Sequence, residues 1–241
     1  MESPFVHAVG LLRVLGLFLS GICHQFPEHS LLVGGAPMPF CARCTGTYLG
    51  AALALGSFWL RGRSRASRLP PLRVLGVLGL LVALWVVDGL NSYWDFLTGN
   101  ALLYLPNNTL RLATGLGQGL ALSVLVFPYF NGSLWQRSDA TRSVENLREL
   151  AGLGLALLAL AVLLQAGASV LLYPLLLADV LSALLLLGMV NTMLVILLLR
   201  RENRAQGWRD ALPLLGLGLA LAIVEVSGMA LLRAWLLNVL R

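Results

Sequence analysis

Apolar runs recur along the whole of this chain, at roughly 4–22, 45–60, 74–90, 110–130, 150–173, 175–199 and 212–238. A helix that crosses the hydrocarbon of a bilayer needs about 20 predominantly apolar residues, and about 17 can suffice. Most of the runs meet that length. Buried helices of a soluble protein would show a polar face at helical period, and these runs show almost none. The expected fold is therefore all-α, a polytopic transmembrane helical bundle of about seven spans.

The charge is arranged to match. All seventeen basic residues are arginine. Arg61, Arg63, Arg65, Arg68 and Arg73 fall in one loop, Arg137, Arg142 and Arg148 in a second, and Arg200, Arg201, Arg204 and Arg209 in a third. Alternating helices put all three loops on one side, with only Arg43 and Arg111 near the loops of the other. By the positive-inside rule the arginine loops are cytoplasmic. The expected location is the plasma (inner) membrane, multi-pass, with a cytoplasmic N-terminus. The net charge of +6 is then a topology signal. It points to membrane lipid, anionic lipid above all, and to no nucleic acid. Arg233 and Arg241 sit awkwardly with this, since a fully spanning last helix carries both to the outside. Leu19-Ser20-Gly21-Ile22-Cys23 faintly resembles a lipoprotein cleavage site, but Ile22 stands where a small residue is wanted. The opening holds Glu2 and no basic cluster, so the first run is expected to be a retained span.

Composition divides the chain. Residues 1–130, the expected membrane core, hold every cysteine and histidine and most aromatic residues. Residues 131–149 form an expected cytoplasmic linker, in which Asp139 to Arg142 and Glu145 to Glu149 suggest a solvated helix. Residues 150–241 are leucine- and alanine-rich C-terminal membrane helices, with a tight outward turn expected at Tyr173-Pro174.

Chemistry concentrates in the segment between the first two runs. Cys23-His24-Gln25 and Cys41-Ala42-Arg43-Cys44 contain the only three cysteines and one of three histidines. Pro27, Gly34, Gly35, Pro37 and Pro39 prevent a long helix between them, so the loop should fold back on itself. Two thiols spaced as Cys41 and Cys44 can reach one ion, and a third thiolate with an imidazole suits tetrahedral Zn²⁺. The candidate metal ligands are Cys23, His24, Cys41 and Cys44, with His29 competing with His24 for the fourth place. Redox thiols, or a structural Cys41–Cys44 disulfide, are the alternatives in an oxidising compartment.

The runs Cys23-His24-Gln25-Phe26-Pro27 and Pro39-Phe40-Cys41-Ala42-Arg43-Cys44-Thr45-Gly46-Thr47-Tyr48-Leu49-Gly50 resemble the signature of an uncharacterised prokaryotic membrane-protein family, domain of unknown function 2085. The resemblance covers roughly residues 10–125 and implies a small polytopic membrane domain with a paired Cys-His and Cys-x-x-Cys site. It implies no established activity. Members often carry arginine where this chain has His29, which favours His24 as the ligand.

A second polar group belongs to the same face. Asp88 ends the third run, while Asn107, Asn108 and Arg111 open the fourth; Asn107, Arg111, Thr114 and Gln118 follow helical spacing. Gly115 and Gly119 are spaced to let another helix come close. Asn108, Arg111 and Thr114-Gly115 also resemble the family's second motif. One reading is an Asp88–Arg111 ion pair locking two helices, with the asparagines capping the fourth. The other is a polar pocket of Asp88, Asn107, Asn108, Arg111 and Thr114, in which Arg111 holds an anionic lipid or envelope ligand. Asp179, Asn191 and Glu225 interrupt later helices and are candidates for interhelical hydrogen bonds or for transport.

The leading expectation is an integral membrane protein with a zinc-type Cys3His site at its extracytoplasmic face beside this pocket. A membrane thiol-disulfide oxidoreductase using Cys41 and Cys44, or an ion or solute transporter, are the competing classes.

Overall fold

The computed structural model describes residues 10–33 and 35–239; Gly34 and Arg241 lie outside the described residues. Its helices are α1 (Leu11–Leu19), α2 (Ala42–Leu60), α3 (Leu72–Thr98), α4 (Asn108–Leu134), α5 (Leu147–Ala166), α6 (Leu172–Leu198) and α7 (Trp208–Val239). Four short strands complete it: β1 (Ser30–Val33), β2 (Ala36–Cys41), β3 (Ala66–Arg68) and β4 (Asp139–Arg142). The all-α bundle is as expected, but the number of spans is corrected. Among the described residues five helices, α3 to α7, are long and apolar enough to cross a membrane, rather than about seven. The described part of α1 has only nine residues. Nineteen-residue α2 is enclosed by α4, α5 and α6, so it carries Arg43, Thr45, Thr47 and Ser57 where a lipid-facing helix would carry leucine.

The closest packing in the bundle is between α2 and α4. Gly115 and Gly119 lie directly on the carbonyls of Arg43 and Thr47, where a Cβ has no room. The expected close approach at this glycine pair is what joins the two helices, because the missing side chains let backbones meet.

At one end of the bundle the three arginine loops meet. Strands β3 and β4 pair in parallel, and Trp135 bridges to Ala205. Asn203 donates to the Ser133 carbonyl at 2.8 Å, and Asn131 to the Ala66 carbonyl at 3.0 Å. The expected solvated helix over Asp139 to Arg142 is therefore a strand, held by main-chain hydrogen bonds to another loop. Glu149 is not in a linker but in the first turn of α5, where Arg63 binds both of its oxygens at 2.6 and 2.9 Å. Arg65 stacks 4.2 Å over the Trp135 ring.

The opposite end is built by residues 20–41 and by α5 and α6. The turn expected at Tyr173-Pro174 comes earlier, at Gly167 (φ 64°) and a 3-10 turn, Ser169–Leu171. Pro174 sits within the first turn of α6, where its missing N–H costs no helical bond.

Candidate metal centre

The loop after α1 folds back as expected, as an antiparallel hairpin in which Ser30 lies opposite Cys41. Pro37 and Pro39 are tolerated because a two-stranded ribbon leaves one side of each strand without a ladder partner. The reversal begins at Gln25, whose φ of 57° is left-handed. That conformation costs a residue with a Cβ roughly 1–2 kcal/mol. The buried Gln25 amide offsets it by donating to the Gly16 carbonyl at 2.6 Å and the Pro39 carbonyl at 2.9 Å. Gln25 thus clamps the end of α1 to β2 and sets Cys23 beside Cys41.

The possible ligand atoms of Cys23, His24 and Cys41 lie within 4.8 Å of one another. Cys23 and Cys41 are buried, and His24 is exposed. The Cys41 amide donates to Cys23 Sγ at 3.2 Å. Cys44, in the first turn of α2, is not one of the three converging ligand groups, but it lies close enough to Cys23 and Cys41 to shift the pKa of each. All three cysteines are free. The contacts with the Cys23 and Cys44 thiols hold the Cys41 pKa well below its usual value. Cys23 is pushed up to about 12, chiefly by its bond to Cys41. The thiolate is the form that binds metal.

His29 does not join the three ligand atoms. Its Nδ1 lies 3.0 Å from His24 Nε2, leaving His24 Nδ1 free for an ion. Partial desolvation of the ring lowers the His24 pKa although the residue as a whole is exposed, and desolvation with the Arg111 charge lowers His29 to about 4. Both rings are therefore neutral at pH 7, the form an imidazole ligand needs. One ring donates to the other, an arrangement that fixes the orientation of a metal-binding histidine.

The second polar group forms, with a changed pairing. The expected Asp88–Arg111 ion pair is absent: the carboxylate of Asp88 is bound by Arg43 instead. Arg43 Nε donates to Asp88 Oδ2 at 2.9 Å, and its Nη2 reaches the same oxygen and Ser92 Oγ. Tyr104 donates to Oδ1 at 2.8 Å and Thr114 to Oδ2 at 3.3 Å. Burial and this bond push the Tyr104 pKa up to about 12, which keeps its hydroxyl a donor. Arg43 reaches Asp88 because the second residue of α2 faces α3 across the cluster, which spacing along the chain does not reveal.

Arg111 is 6% exposed, and its side chain makes one hydrogen bond among the described residues, from Nη1 to Asn108 Oδ1 at 3.1 Å. Asn107 caps α4 as expected, accepting from the Leu110 amide at 2.9 Å. Asn108 ties α4 to the hairpin by donating to the Glu28 and Ser30 carbonyls. Arg111, Arg43, His24, His29, Cys41 and Tyr93 line a cavity of about 370 Å³. The Cys-His cluster and the Arg111 guanidinium therefore open on one space.

The profile of a family described as predicted membrane protein, DUF2085, matches residues 23–125. An uncharacterized protein of Methanothermobacter thermautotrophicus is 36% identical over 105 residues, 43% of this chain and 83% of that protein. The chain belongs to the DUF2085 family. No solved structure matches it. The DUF2085 match contains every residue of the cluster and of the Asp88–Arg111 group.

Residues beyond the DUF2085 match also surround the centre. Arg233 of α7 donates to the carbonyls of Ser20 at 3.1 Å, Cys23 at 2.6 Å and His24 at 2.7 Å. The arginine that fitted the charge pattern badly thus holds the chain end of α1. Asp179 of α6 is fully buried beside Thr45, and neither of its oxygens has a partner at hydrogen-bond distance among the described residues. Deeper in the bundle Asn191 donates to Glu225 at 2.8 Å, the interhelical hydrogen bond expected of such residues.

Proposed function

We propose that this multi-pass membrane protein holds a zinc-type ion at the end of the bundle away from the arginine loops. Cys23, His24 and Cys41 bind it, and Cys44 supplies the fourth donor. The observation that carries this reading is the convergence of three soft ligand atoms within 4.8 Å. They come from two chain segments, the turn after α1 and the end of β2. Three thiolates and an imidazole match Zn²⁺ in softness and in tetrahedral geometry. A closed site of that kind organises structure, and here it fixes the hairpin that walls the cavity.

The cavity is the place for a ligand. Asp88 is saturated by Arg43, Tyr104 and Thr114, and Arg111 keeps all but one of its donors free among the described residues. A guanidinium with unused donors at the edge of a membrane suits a carboxylate or phosphate, including that of an anionic lipid or envelope molecule. The arginine loops support a cytoplasmic position for their end, which makes the metal centre extracytoplasmic in the plasma membrane.

Elemental analysis of the detergent-purified protein tests the metal reading. About one zinc per chain, lost in Cys41→Ser/Cys44→Ser, is the expected result. A metal-free protein with an oxidised Cys41–Cys44 pair would overturn it. The mutual contact of the three thiols would then favour the thiol-disulfide oxidoreductase.

A further inference from the structure

Helices α3 and α5 both pack on α4 but meet each other little. Between them runs an apolar slot of about 470 Å³, lined by Val77 and Leu81 of α3, Ala113 and Gly117 of α4, and Leu150 and Gly154 of α5. Along α5 the lining extends from Leu147 to Ala161. That is about 21 Å at 1.5 Å per residue, more than the roughly 15 Å of hydrocarbon in one leaflet.

At its arginine end the slot continues into a polar mouth of about 590 Å³, and Leu147 lines both. Arg73 and Arg148 flank this mouth. Both are exposed, and neither makes a hydrogen bond or ion pair with another described residue. The neighbouring carboxylates are already engaged, Glu145 by Arg63 and Glu149 by Arg61 and Arg63. The mouth therefore presents two cations without partners above an apolar shaft.

We propose that this slot binds one anionic glycerophospholipid from the leaflet on the arginine side. Its phosphate lies between Arg73 and Arg148, and one acyl chain runs between α3 and α5. A free anion would use the mouth and leave the shaft empty, whereas a lipid matches the charge of one and the polarity of the other.

Native mass spectrometry with added phosphatidylglycerol or phosphatidylcholine tests the assignment without reference to the metal centre. The wild-type chain is expected to retain one phosphatidylglycerol in preference to phosphatidylcholine. Arg73→Gln/Arg148→Gln should reduce that preference roughly tenfold or more, and Arg73→Lys/Arg148→Lys should keep most of it. A Cβ at Gly154 meets no atom within 4 Å, so Gly154→Leu fills the shaft without displacing backbone. It should weaken retention of both lipids and leave the preference between them unchanged. Equal retention of the two lipids by the wild type would overturn the proposal. So would an unaltered preference in the double glutamine variant, or unaltered retention in Gly154→Leu. Matching unfolding midpoints across the variants establish that each result reads the slot and not the fold.

Discussion

Arg43 in the first turn of α2 holds the carboxylate of Asp88 in α3, while Arg111, the cation that the sequence sets beside Asp88, spends one donor on Asn108 and keeps the others free among the described residues. The two arginines therefore answer differently to removal. Arg43→Met strands a carboxylate that is 1% exposed, and breaking a buried pair in this way costs about 3–5 kcal/mol. Arg111→Met should cost much less stability. Thermal unfolding of the two variants in detergent checks the ordering, and equal losses would contradict the assigned pairing.

His24 and His29 should separate by magnitude. His24→Ala removes a proposed ligand and should abolish stoichiometric zinc binding. His29→Ala removes the hydrogen bond that orients His24, for which a loss of about 10–100-fold in metal affinity is expected. Competition with a zinc chelator measures both. A larger loss in His29→Ala than in His24→Ala would exchange their roles.

The seam between α2 and α4 makes two glycines on one helix behave in opposite ways. Gly50→Ala places a Cβ against the backbone of Leu116 and should prevent folding. At Gly56 a Cβ meets nothing within 4 Å, so Gly56→Ala should stabilise α2 by up to about 1 kcal/mol through helix propensity alone. Yield of monodisperse protein and the unfolding midpoint report the difference.

Arg233 acts through main chain, since it donates to three carbonyls around Cys23 and His24. Arg233→Leu should loosen the N-terminal arm of the metal site and lower zinc affinity, with the bundle still assembled. Arg233→Lys, with fewer donors and no planar fork, should recover part of the loss. Chelator competition beside helical content measured by circular dichroism distinguishes this from general unfolding.

Asn191 and Glu225 share a hydrogen bond between α6 and α7. Glu225→Gln preserves an acceptor and should be nearly neutral. Asn191→Leu removes the donor, and such bonds in membrane proteins average about 0.6 kcal/mol. A loss of several kcal/mol in Glu225→Gln would mark Glu225 as an ionised residue with a role beyond packing.

What the sequence made legible followed from spacing along single segments. The cysteine cluster, the folded-back loop, the glycine seam and the cap at Asn107 each depend on residues a few positions apart, or on one loop. The Arg43–Asp88 pairing was hidden because it depends on how α2 is rotated against α3. Strands β3 and β4 were hidden because segments as short as Asp139–Arg142 carry no readable alternation. Gln25 stood inside the Cys-His-Gln run, but its left-handed backbone is dictated by carbonyls nine and fourteen residues away. Asp179 and Arg233 lie in the leucine-rich half, so their places beside the cluster emerge only from packing. The second run was counted as a span by its length, whereas α2 as a whole includes Arg43 and several small polar residues among its neighbours α4, α5 and α6.

The meeting of the three arginine loops bears on passage through the molecule. Main-chain bonds between β3 and β4 and between Trp135 and Ala205 knit the connections there into a floor. The cavity of Arg111 lies at the other end, between the hairpin and α3. A ligand of that cavity therefore approaches from the hairpin end, while the arginine end offers only the separate slot between α3 and α5.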